Sequence, residues 1–125
     1  MVSNIFLYSE TAFHHEGDYS YLIRLIDESK KSGLNAIKFQ VILDLNYLTS
    51  SVHSGYQKLV KCVFTAEQWL KAFDYATTAG LDIIFLPLDL ASFDLIISMK
   101  AKPKYLKIHP VCFYDTEIIN RIKET

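Results

Sequence analysis

The sequence predicts an α/β fold of four βα units with parallel strands, and three observations carry that prediction. Short apolar runs alternate with amphipathic stretches at the roughly thirty-residue spacing of a βα repeat. A side-chain capping residue (Asp18, Thr65, Asp89 or Asp115) precedes each amphipathic stretch. Gly33 and Gly80 stand where the first two stretches should end, in the left-handed backbone region that glycine accepts most easily. Strands alternating with helices in this way run parallel, joined by right-handed crossovers. Two architectures fit: a small open sheet flanked by helices, or half of a (β/α)8 barrel. Periodicity alone does not choose between them.

Ile5 to Ser9 reads as the first strand, followed by a loop from Thr11 to Gly17. Asp18 caps a helix whose apolar positions are Tyr21, Leu22, Leu25 and Ile26. Asn35 to Val41 is a second strand. The connection from Ile42 to Phe64 has no sustained period, although Gln57 to Val60 could form a short helix; connections this long inside compact domains are usually functional or mobile. Thr65-Ala66-Glu67-Gln68 is a capping box, flanked by Phe64 and Trp69 as a hydrophobic staple, and opens a helix that runs to Gly80. Leu81 to Leu86, dense in Ile, Leu and Phe, reads as a strand buried on both faces. Asp89 caps a helix that turns Phe93, Leu95 or Ile96, and Met99 inward. Lys104 to His109 is a fourth strand, and Asp115 caps a last helix through Ile118, Ile119 and Ile122.

Composition bounds the function classes. The chain has 125 residues with formal charge −1, 50% hydrophobic and 22% charged, enough for one domain that needs no disulfide or metal merely to fold. No basic run could neutralise a row of phosphates, so a nucleic-acid partner is not suggested. The longest apolar run, Leu81 to Leu95, is broken by Asp82, Pro87, Asp89 and Asp94, so no membrane span is expected. The opening Met1-Val2-Ser3-Asn4 has no basic region or cleavage signal, and the two cysteines, Cys62 and Cys112, suggest no disulfide framework; a cytoplasmic location is the expectation. Neither cysteine is marked as a nucleophile. There is no glycine-rich nucleotide motif.

Functional groups in parallel α/β folds cluster at the carboxyl ends of strands. The first strand ends in Glu10. Lys38 and Gln40 share one face of the second strand, opposite Ile37, Phe39 and Val41, and Lys107 and His109 share a face of the fourth. A lysine buried inside a parallel strand is costly unless an anion pairs with it. Lys38 and Lys107 therefore point to an anionic ligand such as a phosphate or carboxylate, or each snorkels to water or pairs with Glu10 or an aspartate. His14 and His15 have no partner spacing that completes a metal site and read as hydrogen-bonding loop residues; His53 reads as solvated.

Five segments in order resemble the N-acetylneuraminate (sialic acid) synthase family. Ser9 to Asp18 is similar to the family's Ala-Glu-Ile-Gly-x-Asn-His-x-Gly-Asp opening, and Ala36-Ile37-Lys38-Phe39-Gln40 to its second-strand motif. Phe64 to Gln68, Phe85 to Asp94 and Pro103 to Ile108 resemble its later helix start, Ser-Thr-Pro-Phe-Asp segment and Pro-x-Tyr-Lys-Ile segment, the last with one residue inserted. The resemblance implies residues 1–125 as barrel units 1 to 4 of a TIM barrel, without units 5 to 8 and the antifreeze-like domain. It further implies condensation of phosphoenolpyruvate with an amino sugar of the N-acetylmannosamine type, aided by a divalent metal, Mn or Mg.

By the same resemblance Lys38 and Lys107 would hold phosphoenolpyruvate, with Gln40 beside them. Glu10 would act near the sugar and His15 would shape the mouth. Departures accompany the likeness. Phe85 and Leu86 replace a Ser-Thr pair, Pro110 replaces a serine, His14 replaces an asparagine and Ala12 a glycine. Each lost hydroxyl is worth about 1–3 kcal/mol to a phosphate oxygen, and the family's two metal-binding histidines have no counterpart in this chain. A truncated synthase-like chain, inactive alone, is the expectation. A non-catalytic half-barrel that binds or assembles is the alternative. Half a barrel would leave two strand edges and an apolar face open, which predicts a homodimer, a complementing half-barrel or poor solubility.

Overall fold

The computed structural model describes residues 4–99 and 102–125; the first three residues, read above for a leader, lie outside it. Four strands, β1 (Tyr8–Glu10), β2 (Ala36–Val41), β3 (Asp82–Pro87) and β4 (Tyr105–Leu106), form one parallel sheet in the order β1-β2-β3-β4. Sequential order separates the two architectures left open by periodicity. A doubly wound open sheet reverses direction beside its first strand, whereas a barrel adds each strand next to the last. The sheet is therefore a four-unit arc of a (β/α)8 barrel.

Helices follow each strand: α1 (Tyr19–Lys31), then α2 (Leu45–Leu48), α3 (Tyr56–Val60) and α4 (Ala66–Thr78), then α5 (Leu90–Ser98) and α6 (Thr116–Lys123). Their starts are fixed by the expected side chains. Asp18 accepts from the Tyr21 amide, Thr65 and Gln68 form a reciprocal capping box, Asp89 forms one with Ser92, and Asp115 accepts from the Glu117 and Ile118 amides. The Phe64 and Trp69 rings meet at 5.4 Å between centroids, as a staple should.

Strand parity divides the side chains. Ile37, Phe39, Val41, Ile83 and Phe85 face outward and pack with Leu22 and Ile26 of α1, Trp69, Phe73 and Ala76 of α4, and Ile96 of α5 in the main core. The opposite, inner face carries Tyr8, Glu10, Lys38, Gln40, Ile84 and Leu86, following the register Glu10↔Lys38↔Ile84↔Tyr105 and Gln40↔Leu86.

Three expectations are corrected. The first strand is Tyr8–Glu10 rather than Ile5 to Ser9, because the Leu7 amide donates to the Asn35 side chain at 2.8 Å instead of entering the ladder. The fourth is Tyr105–Leu106 rather than Lys104 to His109. Backbone bonds from Lys104 to Ile83 and Lys107 to Phe85 flank it, and Pro110 then starts a 3-10 turn (Pro110–Cys112). Lys107 thus stands just past the strand and is exposed, so the burial argument holds for Lys38 alone.

The connection from Ile42 to Phe64 is a packed cap. Asp44 starts α2, and Leu48, Tyr56, Leu59 and Val63 pack on a second apolar cluster of Ile42, Leu45, Leu86 and Leu88. Its first residues are anchored where the Leu43 amide donates to Asp89 Oδ2 at 2.9 Å, and Tyr47 donates to Asp115 at 2.6 Å. At its far end Lys61 meets the first βα loop at Gly17, where φ is +86° and an added Cβ would lie 2.1 Å from the Lys61 carbonyl oxygen. Only glycine serves there.

Candidate functional site: the inner face of the sheet

Lys38 sits at the centre of the inner face with 1% of its side chain exposed. Its Nζ is 2.7 Å from Glu10 Oε1, one register position across on β1, and 5.7 Å from the centre of the Tyr8 ring. Glu10 is itself about half in water. The ammonium therefore has one carboxylate partner and a cation–π contact, with donor capacity left toward the open side of the sheet. The alternative posed by the sequence, a lysine paired with Glu10, is realised. The pairing leaves room for a ligand as well.

That open side is a cavity of about 440 Å³ lined by Lys38 and Lys107 together with Tyr8, Ile84, Tyr105 and Phe113. Such a space is of small-molecule size, with apolar walls and few polar groups. Lys107 reaches it from beyond β4. His109 stands two residues further on; its Nδ1 accepts from the Val111 amide at 3.2 Å. Burial and the neighbouring Lys107 and Lys38 charges lower its pKa below the usual histidine value, opposed by Glu10.

The remaining expected residues fall elsewhere. Gln40 is buried at the register position of Leu86, and Leu86 belongs to the apolar cluster under α2 and α3. One layer above Lys38 the inner face thus carries Gln40 beside the apolar Leu86, where the resembling motif has a hydroxyl. His15 does not line the cavity beside Lys38. It is buried against Phe64, Trp69 and Phe13, with ring centroids at 4.6, 6.2 and 6.3 Å. Burial, with His14 next to it, lowers its pKa to about 4. Its Nδ1 accepts from the Gly17 amide at 3.1 Å, so it braces the first βα loop. Ala12, where the resembling motif has glycine, takes φ +42° in that loop.

Cys62 and Cys112 are buried, and burial raises both thiol pKa values, so neither is an activated nucleophile. Sequence reasoning left Tyr8 and Tyr105 out of the site. The signal for both was inward parity with Glu10, Lys38 and Lys107.

No family profile matches the chain. It is 29% identical over 110 residues, 87% of its length, to the uncharacterized protein MJ1065 of Methanocaldococcus jannaschii, of which it spans 32%. Three solved structures share its fold. An N-acetylneuraminic acid (sialic acid) synthetase from Leptospira borgpetersenii, in complex with citrate, superposes with TM-score 0.85 at 18% identity, covering 99% of this chain and 45% of that one. A putative spore coat polysaccharide biosynthesis protein E from Chromobacterium violaceum gives 0.78 at 20%, covering 97% and 39%. Spore coat polysaccharide biosynthesis protein spsE from Bacillus subtilis gives 0.61 at 24%, covering 86% and 30%. The chain thus spans less than half the length of each. Among the described residues no helix is long and apolar enough to cross a membrane.

Proposed function

We propose that this chain is a sialic acid synthase-like protein of the cytoplasm, whose inner sheet face binds the anionic end of phosphoenolpyruvate. The observation that carries this reading is the buried Lys38, held by Glu10 and open on its other side to the cavity it shares with Lys107. The fold shared with the leptospiral synthetase and the spore coat proteins supports it, and so do the five motif resemblances.

In the condensation implied by that family, C3 of the enol bonds to the aldehyde carbon of an N-acetylated amino sugar, water adds at C2, and phosphate departs. Fixed ammonium groups suit such a reaction because they stabilise charge as it moves toward the leaving phosphate. Here Lys38 and Lys107 hold the anion, and Glu10 fixes the Lys38 ammonium and faces the sugar. The divalent metal, Mn or Mg, that would polarise the aldehyde finds no fitting ligand set. Among the described residues no group of three His, Cys, Asp or Glu side chains could hold one. This chain's own part in that reaction is to bind and orient the anion.

Calorimetric titration with phosphoenolpyruvate tests the reading. Saturable binding that weakens at least about tenfold (~1.4 kcal/mol) in Lys38→Met and in Lys107→Ala is expected. Affinity unchanged in both variants refutes it.

A second reading, a binding or assembly half-barrel, is favoured by the exposed Tyr8, Tyr105 and Phe113 on the open face and by the apolar Leu86. Its partner is a second copy or a complementing half-barrel. Light scattering that shows a monodisperse monomer at high concentration rules out the second-copy form.

A further inference from the structure

The walls of the inner-face cavity restrict the body of the anion that fits it. Of the described residues that line it, none has a carboxylate, a side-chain amide or an aliphatic hydroxyl. Its polar side-chain groups are the ammonium groups of Lys38 and Lys107 and the phenols of Tyr8 and Tyr105; Ile84, Ile108 and Phe113 add hydrocarbon. A polyhydroxyl body enclosed here loses water without gaining partners, and each unpaired hydroxyl weakens binding. A ligand whose polarity is confined to one anionic end has no such cost.

The aromatic walls are set before any ligand arrives. Tyr8 and Tyr105 belong to β1 and β4, the two edge strands of the sheet. The Tyr8 ring centre lies 5.7 Å from Lys38 Nζ. Tyr105 is braced edge-to-face by Phe6, on the segment that leads into β1, at 5.7 Å between ring centroids. The two edges of the sheet thus meet through aromatic rings across the inner face. Tyr8, Tyr105 and Phe113 remain 47%, 54% and 59% exposed, so apolar surface beside the two lysines is free for a ligand to cover. The cavity, about 440 Å³, is larger than a three-carbon anion fills.

We propose that the cavity takes a carboxylate with a flat apolar body, an aryl or conjugated alkenyl acid, its carboxylate on Lys38 and Lys107 and its body against Tyr105 and Phe113. The inference rests on the inner face being an anion site and names the body that the site selects. Phosphoenolpyruvate, planar and unsaturated, is a small member of that class and covers only part of the walls.

Cinnamate is the probe, with acetate as the anion that lacks the body and cinnamyl alcohol as the body that lacks the charge. Amide chemical-shift titrations at constant ionic strength give Kd for each. Cinnamate should bind at least about tenfold tighter than either control. Tyr105→Leu and Phe113→Ala should each weaken cinnamate and leave acetate unchanged, whereas Lys107→Ala should weaken both anions. Cinnamate no tighter than acetate, or undiminished in both wall variants, overturns the inference. So does cinnamyl alcohol binding as tightly as cinnamate. A dimer in light scattering whose cavity residues do not respond to cinnamate assigns the face to a second copy and overturns it as well. In each of these cases the anion-site reading stands if phosphoenolpyruvate binding still depends on Lys38 and Lys107. If neither cinnamate nor phosphoenolpyruvate binds, both fall.

Discussion

Removing either member of the Lys38–Glu10 pair should move stability in opposite directions. Lys38 is buried and Glu10 Oε1 lies 2.7 Å from its Nζ. Glu10→Gln leaves the ammonium in place without its counter-charge. Breaking a fully buried pair in this way costs about 3–5 kcal/mol. Glu10 is half exposed, so water reaches the site from one side, and the loss falls nearer the ~1.5–3 kcal/mol of a charge-assisted hydrogen bond. Lys38→Met removes the buried charge and keeps most of the volume. The stranded carboxylate solvates at little cost, and the lost contact with the Tyr8 ring is worth only about 0.5–1 kcal/mol. Replacing a buried charge by an apolar side chain of similar size is commonly neutral or stabilising by ~1–4 kcal/mol.

Urea denaturation followed by far-UV circular dichroism measures both. Glu10→Gln should lose about 2 kcal/mol, or roughly 8 °C in Tm for a domain of this size. Lys38→Met should lose nothing or gain about 1 kcal/mol. That pattern is the mark of a lysine retained for a ligand at a cost in stability. If Lys38→Met instead loses more than about 2 kcal/mol, Lys38 is a structural residue and the argument from its burial fails.

Other consequences concern the scaffold around the site. The pKa of His15 falls from 6.5 to about 4 on folding. The unfolded chain therefore binds the extra proton between those values, and stability present above pH 6.5 drains away as pH falls toward 4. The loss is up to ~3 kcal/mol; His15→Phe should flatten this part of the stability–pH curve. Gly17→Ala places a methyl against the Lys61 carbonyl in a left-handed backbone, and a loss of at least about 2 kcal/mol in chemical denaturation is expected. Asp89→Ala removes both the α5 cap and the acceptor for the Leu43 amide; limited proteolysis should then cut the 42–64 segment faster. Ala12→Gly relieves the φ +42° residue and should raise Tm by a few degrees, on the order of 0.5–1 kcal/mol.

What the sequence made legible was mostly local. Asp18, Thr65, Asp89 and Asp115 are short polar side chains placed one residue before apolar periodicity, and each caps the helix it was assigned. Lys38 was legible through parity, since a charge among Ile37, Phe39 and Val41 must face the other way. The strand ends were less so. β1 starts late because of the Asn35 side chain, a partner far away in sequence, and β4 ends early at Leu106 before Pro110 redirects the chain. The 42–64 segment read as irregular because its apolar residues serve a cluster built from Leu86 and Leu88 rather than a helix face of their own. His15 was placed at the mouth by resemblance, whereas Phe64 and Trp69 enclose it; that enclosure depends on how α4 docks.

The central claim is that the inner face binds an anion between Lys38 and Lys107. An amide chemical-shift titration of the isotope-labelled chain with phosphoenolpyruvate locates binding directly. The account predicts saturable shifts concentrated at Tyr8, Glu10, Lys38, Lys107 and Phe113, with the outward-facing residues of α1 and α4 unmoved. Shifts clustered on another surface, or no saturable shift at millimolar ligand, would contradict it.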